Sequence, residues 1–166
     1  MAQGWRYDIH GFGETPPLSG RAGELFDLWR DHAADRRPPR RRDIDVVRLR
    51  PWLGRLIMVD AVAGATDFRF TLVGTMVAEM LQADMTGELL SETSALGHHA
   101  DELRSVWREL VDGPATAVSV GTLDWQGRRH VSICSLFLPL ANDNDEVAKI
   151  LGFANFDTAS GALGRA

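Results

Sequence analysis

The stretch from Leu96 to Asp157 constrains the fold of this chain more than any other. Leu96, Ala100, Leu103, Trp107, Leu110 and Val111 recur at helical spacing up to about Asp112, with Asp101, Arg104, Arg108 and Asp112 off the stripe. Gly113-Pro114 stops that helix. Three strand-length segments follow, Ala115 to Trp125, Arg128 to Leu140 and Val147 to Asp157. They are joined by Gln126-Gly127 and by Asn142-Asp143-Asn144-Asp145, both with turn chemistry. In the middle segment Val131, Ile133 and Phe137 fall on one face, and Cys134, Leu136 and Leu138 on the other. That strand is therefore expected to be central and covered on both faces.

Upstream, Leu56 to Val62 is an apolar run broken by Asp60. Phe68 to Val73 sets Phe68, Phe70 and Leu72 against Arg69, Thr71 and Val73, and the two runs predict a β-hairpin. Gly74-Thr75 then leads into a short helix, Met76 to Gln82, with Val77, Met80 and Leu81 on one side and Thr75 as the expected N-cap. Residues 1–20 hold Gly4, Gly11, Gly13, Pro16 and Pro17 without a sustained period and read as an irregular lead-in. Arg21 to Ala34 carries apolar residues at helical spacing and ends before Pro38-Pro39. Its Leu25, Phe26 and Trp29 either pack on the chain's own sheet or form a dimer or partner surface.

At 166 residues the chain suits one core rather than two full domains. Cys134 is its only cysteine, which excludes an internal disulfide and any zinc site needing two thiolates. No run of about 18 apolar residues occurs and the N-terminus lacks a signal-peptide pattern, so no membrane insertion and a cytoplasmic location are expected. The net charge of −5 hides an asymmetry, because residues 30–55 hold nine arginines against four aspartates. There, Asp43 and Asp45 can partner the arginines, which fits a connector. The Arg36–Arg42 cluster, with Arg40, Arg41 and Arg42, is also the candidate anion site for a nucleotide signal or nucleic acid. The acidic remainder of the chain disfavours nucleic acid.

Several motifs stand in a definite order: Leu25-Phe26-Asp27-Leu28-Trp29, the run from Pro39 to Asp45, Leu49-Arg50-Pro51-Trp52-Leu53, the run from Phe68 to Thr75, Thr86-Gly87, Leu138-Pro139-Leu140 and Ile150-Leu151-Gly152. Over about residues 21–156 this set resembles a group of stand-alone proteobacterial PAS-like proteins, the PAS family 5 type, whose element order is also a helix followed by β-β-α-α-β-β-β. Val46 and Thr71 depart from the pattern, standing where that group usually has Pro and Arg. The resemblance implies a sensory or protein-interaction module in bacterial signal transduction. Such modules bind a small molecule between sheet and helices or pair through N-terminal helices.

His99 falls among Leu96, Leu103 and Trp107 on the helical wheel and is expected to face the sheet. An inward histidine resembles the haem-ligand position of some PAS-like oxygen sensors. The favoured role is nonetheless a buried histidine bonded to a backbone carbonyl, and haem is disfavoured. Cys134 lacks the Asn-Cys-Arg-Phe context of flavin photoreceptors, so it reads as structural and flavin is disfavoured as well. No Ser-His-Asp, paired-Glu, metal-ligand or phosphate-loop spacing occurs. A small cone-fold enzyme using Asp60 and His99, with Asp124 and His130 nearby, is the alternative, and no diagnostic spacing supports it.

The expected architecture is α+β and PAS-like: an antiparallel five-stranded sheet with helices on one face, preceded by an N-terminal amphipathic helix. Its expected parts are a lead-in (1–20), a helix and Arg/Pro-rich connector (21–50), a PAS-like domain (51–158) and a tail (159–166). The module is expected to be non-catalytic and to bind a small-molecule ligand, a signalling protein or a second copy of itself as a homodimer. Its pocket is expected between the Leu96–Val111 helix and the sheet, lined by Phe70, Leu72, Met80, His99, Leu103, Trp107, Ile133 and Leu136. Burying a side chain such as Leu103 contributes roughly 1.5–3 kcal/mol. Leu103→Asp is therefore expected to unfold the domain, and an unchanged melting temperature would show that the stripe is not core.

Overall fold

The computed structural model describes residues 5–34 and 37–158. The expected tail 159–166, residues 1–4 of the lead-in, and Asp35 and Arg36 of the Arg-rich segment lie outside them. Strand pairing is organised by β5 (Arg128–Ala141), which runs antiparallel between β4 (Ala115–Leu123) and β6 (Val147–Asp157). The hairpin of β2 (Leu56–Val62) and β3 (Asp67–Val73) joins the far side of β6. On the near side Arg6–Gly11 forms β1, paired with β4 through Tyr7 opposite Ser119 and Ile9 opposite Ala117. The order is β1-β4-β5-β6-β2-β3, so the sheet has six strands where five were expected. Arg6–Gly11 alternates Tyr7 and Ile9 with the polar Arg6, Asp8 and His10, a pattern only five residues long, and it becomes a strand by satisfying the open edge of β4.

Helices cover both faces of this sheet, a correction to the one-sided arrangement expected from the sequence. On one face lie α2 (Thr75–Leu81) and α3 (Ala100–Asp112). Trp107 of α3 is fully buried there, its ring edge-on to Phe68, Phe70 and Phe137 at 5.4, 6.0 and 5.5 Å. On the other face α1 (Gly20–His32) and a 3-10 stretch, Val46–Arg55, pack against Leu136, Leu138, Leu151 and Phe153. Leu25, Phe26 and Trp29 are buried in this second core, and the Trp29 indole N–H donates to the Pro139 carbonyl at 2.8 Å. They are therefore part of the chain's own interior rather than an exposed partner surface. The cause is β5, whose outward residues Leu136 and Leu138 need apolar cover as much as its inward ones do.

A β-bulge produces a second correction. Met58 pairs with Leu72 and Val59 with Phe70, which leaves Thr71 as an extra residue on β3. Phe68 and Phe70 face α3, whereas beyond the bulge Leu72 packs with the α1 layer. Gly74, not Thr75, caps α2, and a side chain there would meet the Leu53 carbonyl at 2.5 Å. The α1 layer is a full half of the hydrophobic interior, so Leu25→Ala is expected to cost about 2–5 kcal/mol in urea denaturation. A loss below half of one kcal/mol would show α1 to be peripheral.

Candidate functional site

One transverse row of the sheet has small side chains beneath α3. Tyr7 of β1 lies opposite Ser119 of β4, Ser119 opposite Ser135 of β5, and Ser135 opposite Ala154 of β6. Ser135 and Ala154 form part of the floor of a cavity of about 40 Å³ between the sheet and α3, whose other walls include Phe70, Leu81, Leu103 and Trp107. That volume is on the scale of one water molecule. The Trp107 indole N–H, the Tyr7 hydroxyl and the Ser119 hydroxyl are all buried without a hydrogen-bond partner among the described residues. Burial pushes the Tyr7 phenol upward, and the charge of Glu102 pushes it further the same way, so its proton stays on.

Trp5 also lines the cavity. Its ring lies against the backbone of Gly121, where any Cβ would overlap the indole, and its N–H donates to the Thr122 carbonyl at 3.0 Å. It also stacks on His99, with ring centroids 4.7 Å apart, and meets the Trp125 ring at 5.7 Å. His99 is buried on a 3-10 turn, Gly97–His99, that leads into α3. Trp125 meets the same imidazole edge-on at 5.0 Å and donates its N–H to the Ala95 carbonyl at 2.9 Å.

Asp124 completes this nest. His99 Nε2 lies 2.8 Å from Asp124 Oδ1, and His98 Nε2 lies 3.5 Å from Asp124 Oδ2. Partial burial acts to raise the Asp124 pKa, but the hydrogen bond from His99 and the nearby His99 and His98 rings outweigh it, so the carboxyl is held below its usual range. An ionised carboxylate can only accept, so His99 donates through Nε2–H. This leaves its buried Nδ1 without a partner.

Of the residues singled out from the sequence, Phe70, Leu103, Trp107 and Ile133 line the cavity together. Met80 packs beside this core while Val77 and Leu81 take the wall positions, and the Met80 carbonyl accepts from Arg128 at 2.6 Å. Leu72 and Leu136 belong to the opposite face, Leu72 because of the bulge and Leu136 by strand alternation. His99 sits behind Trp5, bonded to a carboxylate rather than to a backbone carbonyl. Sequence reasoning missed Trp5, Ser119 and Ser135, which carry no periodic signal.

The enzyme alternative finds its residues divided. Asp60 pairs with Lys149 across β2 and β6, His130 is exposed, and His99 meets Asp124 instead. The candidate anion site is engaged internally. Arg40 and Arg37 both bind Asp145, Arg42 lies 3.3 Å from Asp143, and Arg41 donates to the Ile44 carbonyl at 3.0 Å. The Arg40 and Arg37 guanidiniums hold Asp145 below the usual carboxylate range, and the pairing clamps the connector onto the β5–β6 turn. Cys134 lines a second cavity of about 70 Å³ under α1, where burial, reinforced by Asp157, pushes its thiol upward and keeps it protonated.

The chain matches the sequence profile of a family described as PAS domain over residues 19–155. No curated protein matches it. Among solved structures it is similar to an RNA-binding light-oxygen-voltage receptor, with a TM-score of 0.48 and 14% sequence identity. That alignment covers 92% of this chain and 38% of the receptor chain.

Asp124 ties the nest to pH. A carboxylate whose pKa is depressed by folding adds stability above its unfolded value, 3.8, and loses it as the pH falls through the lower folded value. Asp124→Asn is therefore expected to lower the melting temperature at pH 7 and to shrink the loss of stability between pH 4 and the acid limit. Parallel wild-type and variant stability curves across that window would show that Asp124 contributes no such linkage.

Proposed function

The chain belongs to the PAS domain family, and from that membership we propose that it is a non-catalytic sensory module of bacterial signal transduction that binds a small molecule beneath α3. PAS domains are generally sensory modules without catalysis. The observation that carries the ligand reading is the cavity wall formed by Trp107, whose buried indole N–H has no partner among the described residues. A buried donor without an acceptor costs about 1–3 kcal/mol, which an acceptor atom on a bound molecule recovers.

The cavity of about 40 Å³ admits no organic ligand while Trp5 is in place. Trp5 is the removable part of the wall, because it precedes an edge strand and is held by one hydrogen bond, the His99 stack and apolar contact. The ligand is a flat, largely apolar molecule carrying a hydrogen-bond acceptor, and it takes the place of the Trp5 ring. Occupancy then favours the Trp5-out state by its differential affinity for the two states. The freed N-terminal segment and β1 edge change what a signalling partner can dock against. Axial haem ligation gains no support, since His99 Nε2 is bonded to Asp124 and Trp5 stands between the imidazole and the cavity.

Removing the closed-state penalty should expose the site. Trp5→Ala is expected to bind the apolar fluorophore 1-anilinonaphthalene-8-sulfonate about tenfold or more tightly than wild type, with one saturable site. Native mass spectrometry of both purified proteins should show a co-purifying small molecule or none. No added mass in either protein, together with no saturable fluorophore binding by Trp5→Ala, would eliminate the ligand and leave a module that signals through protein contact alone.

A further inference from the structure

We infer that His98, His99 and Asp124 form a binding site for a divalent transition cation of the zinc class, outside the cavity assigned to the small molecule. Each residue offers one ligand atom, and these atoms all lie within 4.8 Å of one another. Zinc binds imidazole nitrogen at about 2.0–2.1 Å and carboxylate oxygen at about 2.0–2.2 Å. In a tetrahedron with those bonds, neighbouring donors are about 3.4 Å apart. His99 Nε2 lies 2.8 Å from Asp124 Oδ1 and His98 Nε2 lies 3.5 Å from Asp124 Oδ2, so each imidazole nitrogen already faces one oxygen of the same carboxylate. Small movements complete the site, and His98, whose side chain is 58% exposed, is free to make them.

The donor set decides the class of ion. Two neutral imidazoles and one carboxylate suit zinc, cobalt, nickel or copper, whereas magnesium and calcium require mostly oxygen ligands. Three protein ligands leave a fourth position open to water on the exposed His98 side. The arrangement is held before any ion arrives. Trp5 and Trp125 flank His99, and Asp124 opens a separate 3-10 turn, Asp124–Gln126.

Coordination exchanges one set of bonds for another. His99 Nε2 gives up its hydrogen bond to Asp124 and presents its lone pair to the cation, and the ring proton resides on Nδ1. That nitrogen is buried and has no acceptor. A metal-bound histidine normally donates this proton to an outer partner, and losing such a partner lowers affinity about 10–100-fold. The site is therefore suited to weaker, more readily reversed binding than one whose buried histidine has such a partner.

The test uses the full-length protein after treatment with a chelator. Titration with zinc chloride in a calorimeter is expected to show one equivalent bound, and cobalt chloride is expected to give the visible bands of four-coordinate cobalt and to quench Trp5 and Trp125 fluorescence. His98→Ala, at an exposed position, should stay folded without metal and weaken zinc binding by more than about tenfold. Asp124→Asn should weaken it similarly, and His130→Ala should not. Absence of zinc and cobalt binding by the wild-type protein would overturn the assignment, as would zinc affinity unchanged in both His98→Ala and Asp124→Asn.

Discussion

Two-sided burial of β5 is the constraint from which the rest of the architecture follows. A strand with Ile133 and Phe137 on one face and Leu136 and Leu138 on the other cannot leave either face in water, so two helical layers are required. α3 supplies one of them through Trp107. The second is assembled from chain that precedes the hairpin: α1, anchored by the Trp29 bond to Pro139, and the 3-10 stretch, anchored by the Trp52 bond to the Arg21 carbonyl. The arginine-rich connector between them is tied down by Asp145 at the β5–β6 turn. Its positive charge thus serves the fold, and the acidic turn it grips sits at the end of the same strand that made the second layer necessary.

The functional features gather where this packing is incomplete. Ser135 and Ala154 are too small to fill the space under α3, which the Trp107 indole also lines, and along the same strand row the hydroxyl of Ser119 and the phenol of Tyr7 are, like the Trp107 N–H, buried without partners among the described residues. Native interiors carry few such groups, and each represents free energy that an additional partner could recover. Trp5 compensates in part by inserting its ring over Gly121 and against His99. Trp5 therefore forms part of the cavity wall, and its stacking partner, His99, belongs to the cluster that also holds His98 and Asp124. The cavity proposed for a small molecule and the cluster proposed for a cation meet at the Trp5–His99 stack.

Much of the framework was legible because it is written in local periodicity. The Leu103, Trp107 and Leu110 stripe, the hairpin from Leu56 to Val73 and the three C-terminal strands all follow from spacing and turn chemistry, and their order carries the likeness to PAS domains. Misplacements arose where one residue alters phase. The bulge at Thr71 moves Leu72 to the opposite face without changing any residue type that a pattern could register. Leu136 is a different case, since alternation from Ile133 already assigns it to the α1 side. Leu25, Phe26 and Trp29 were recognisable as an apolar stripe, but a stripe does not say what covers it.

By itself, the sequence determined α1 to α3, the strands β2 to β6, the two-faced character of β5 and the family, because helical and strand periods and turn residues act over a few neighbours. Only the tertiary structure decided which distant groups meet. Trp5 reaches Thr122 across 117 residues, Arg40 reaches Asp145 across 105, and His99 reaches Asp124 across 25. Nothing in the local sequence of either partner encodes such a contact. It arises when β1 satisfies the open edge of β4 and when two short turns, Gly97–His99 and Asp124–Gln126, are brought side by side by the packing of α3 on the sheet.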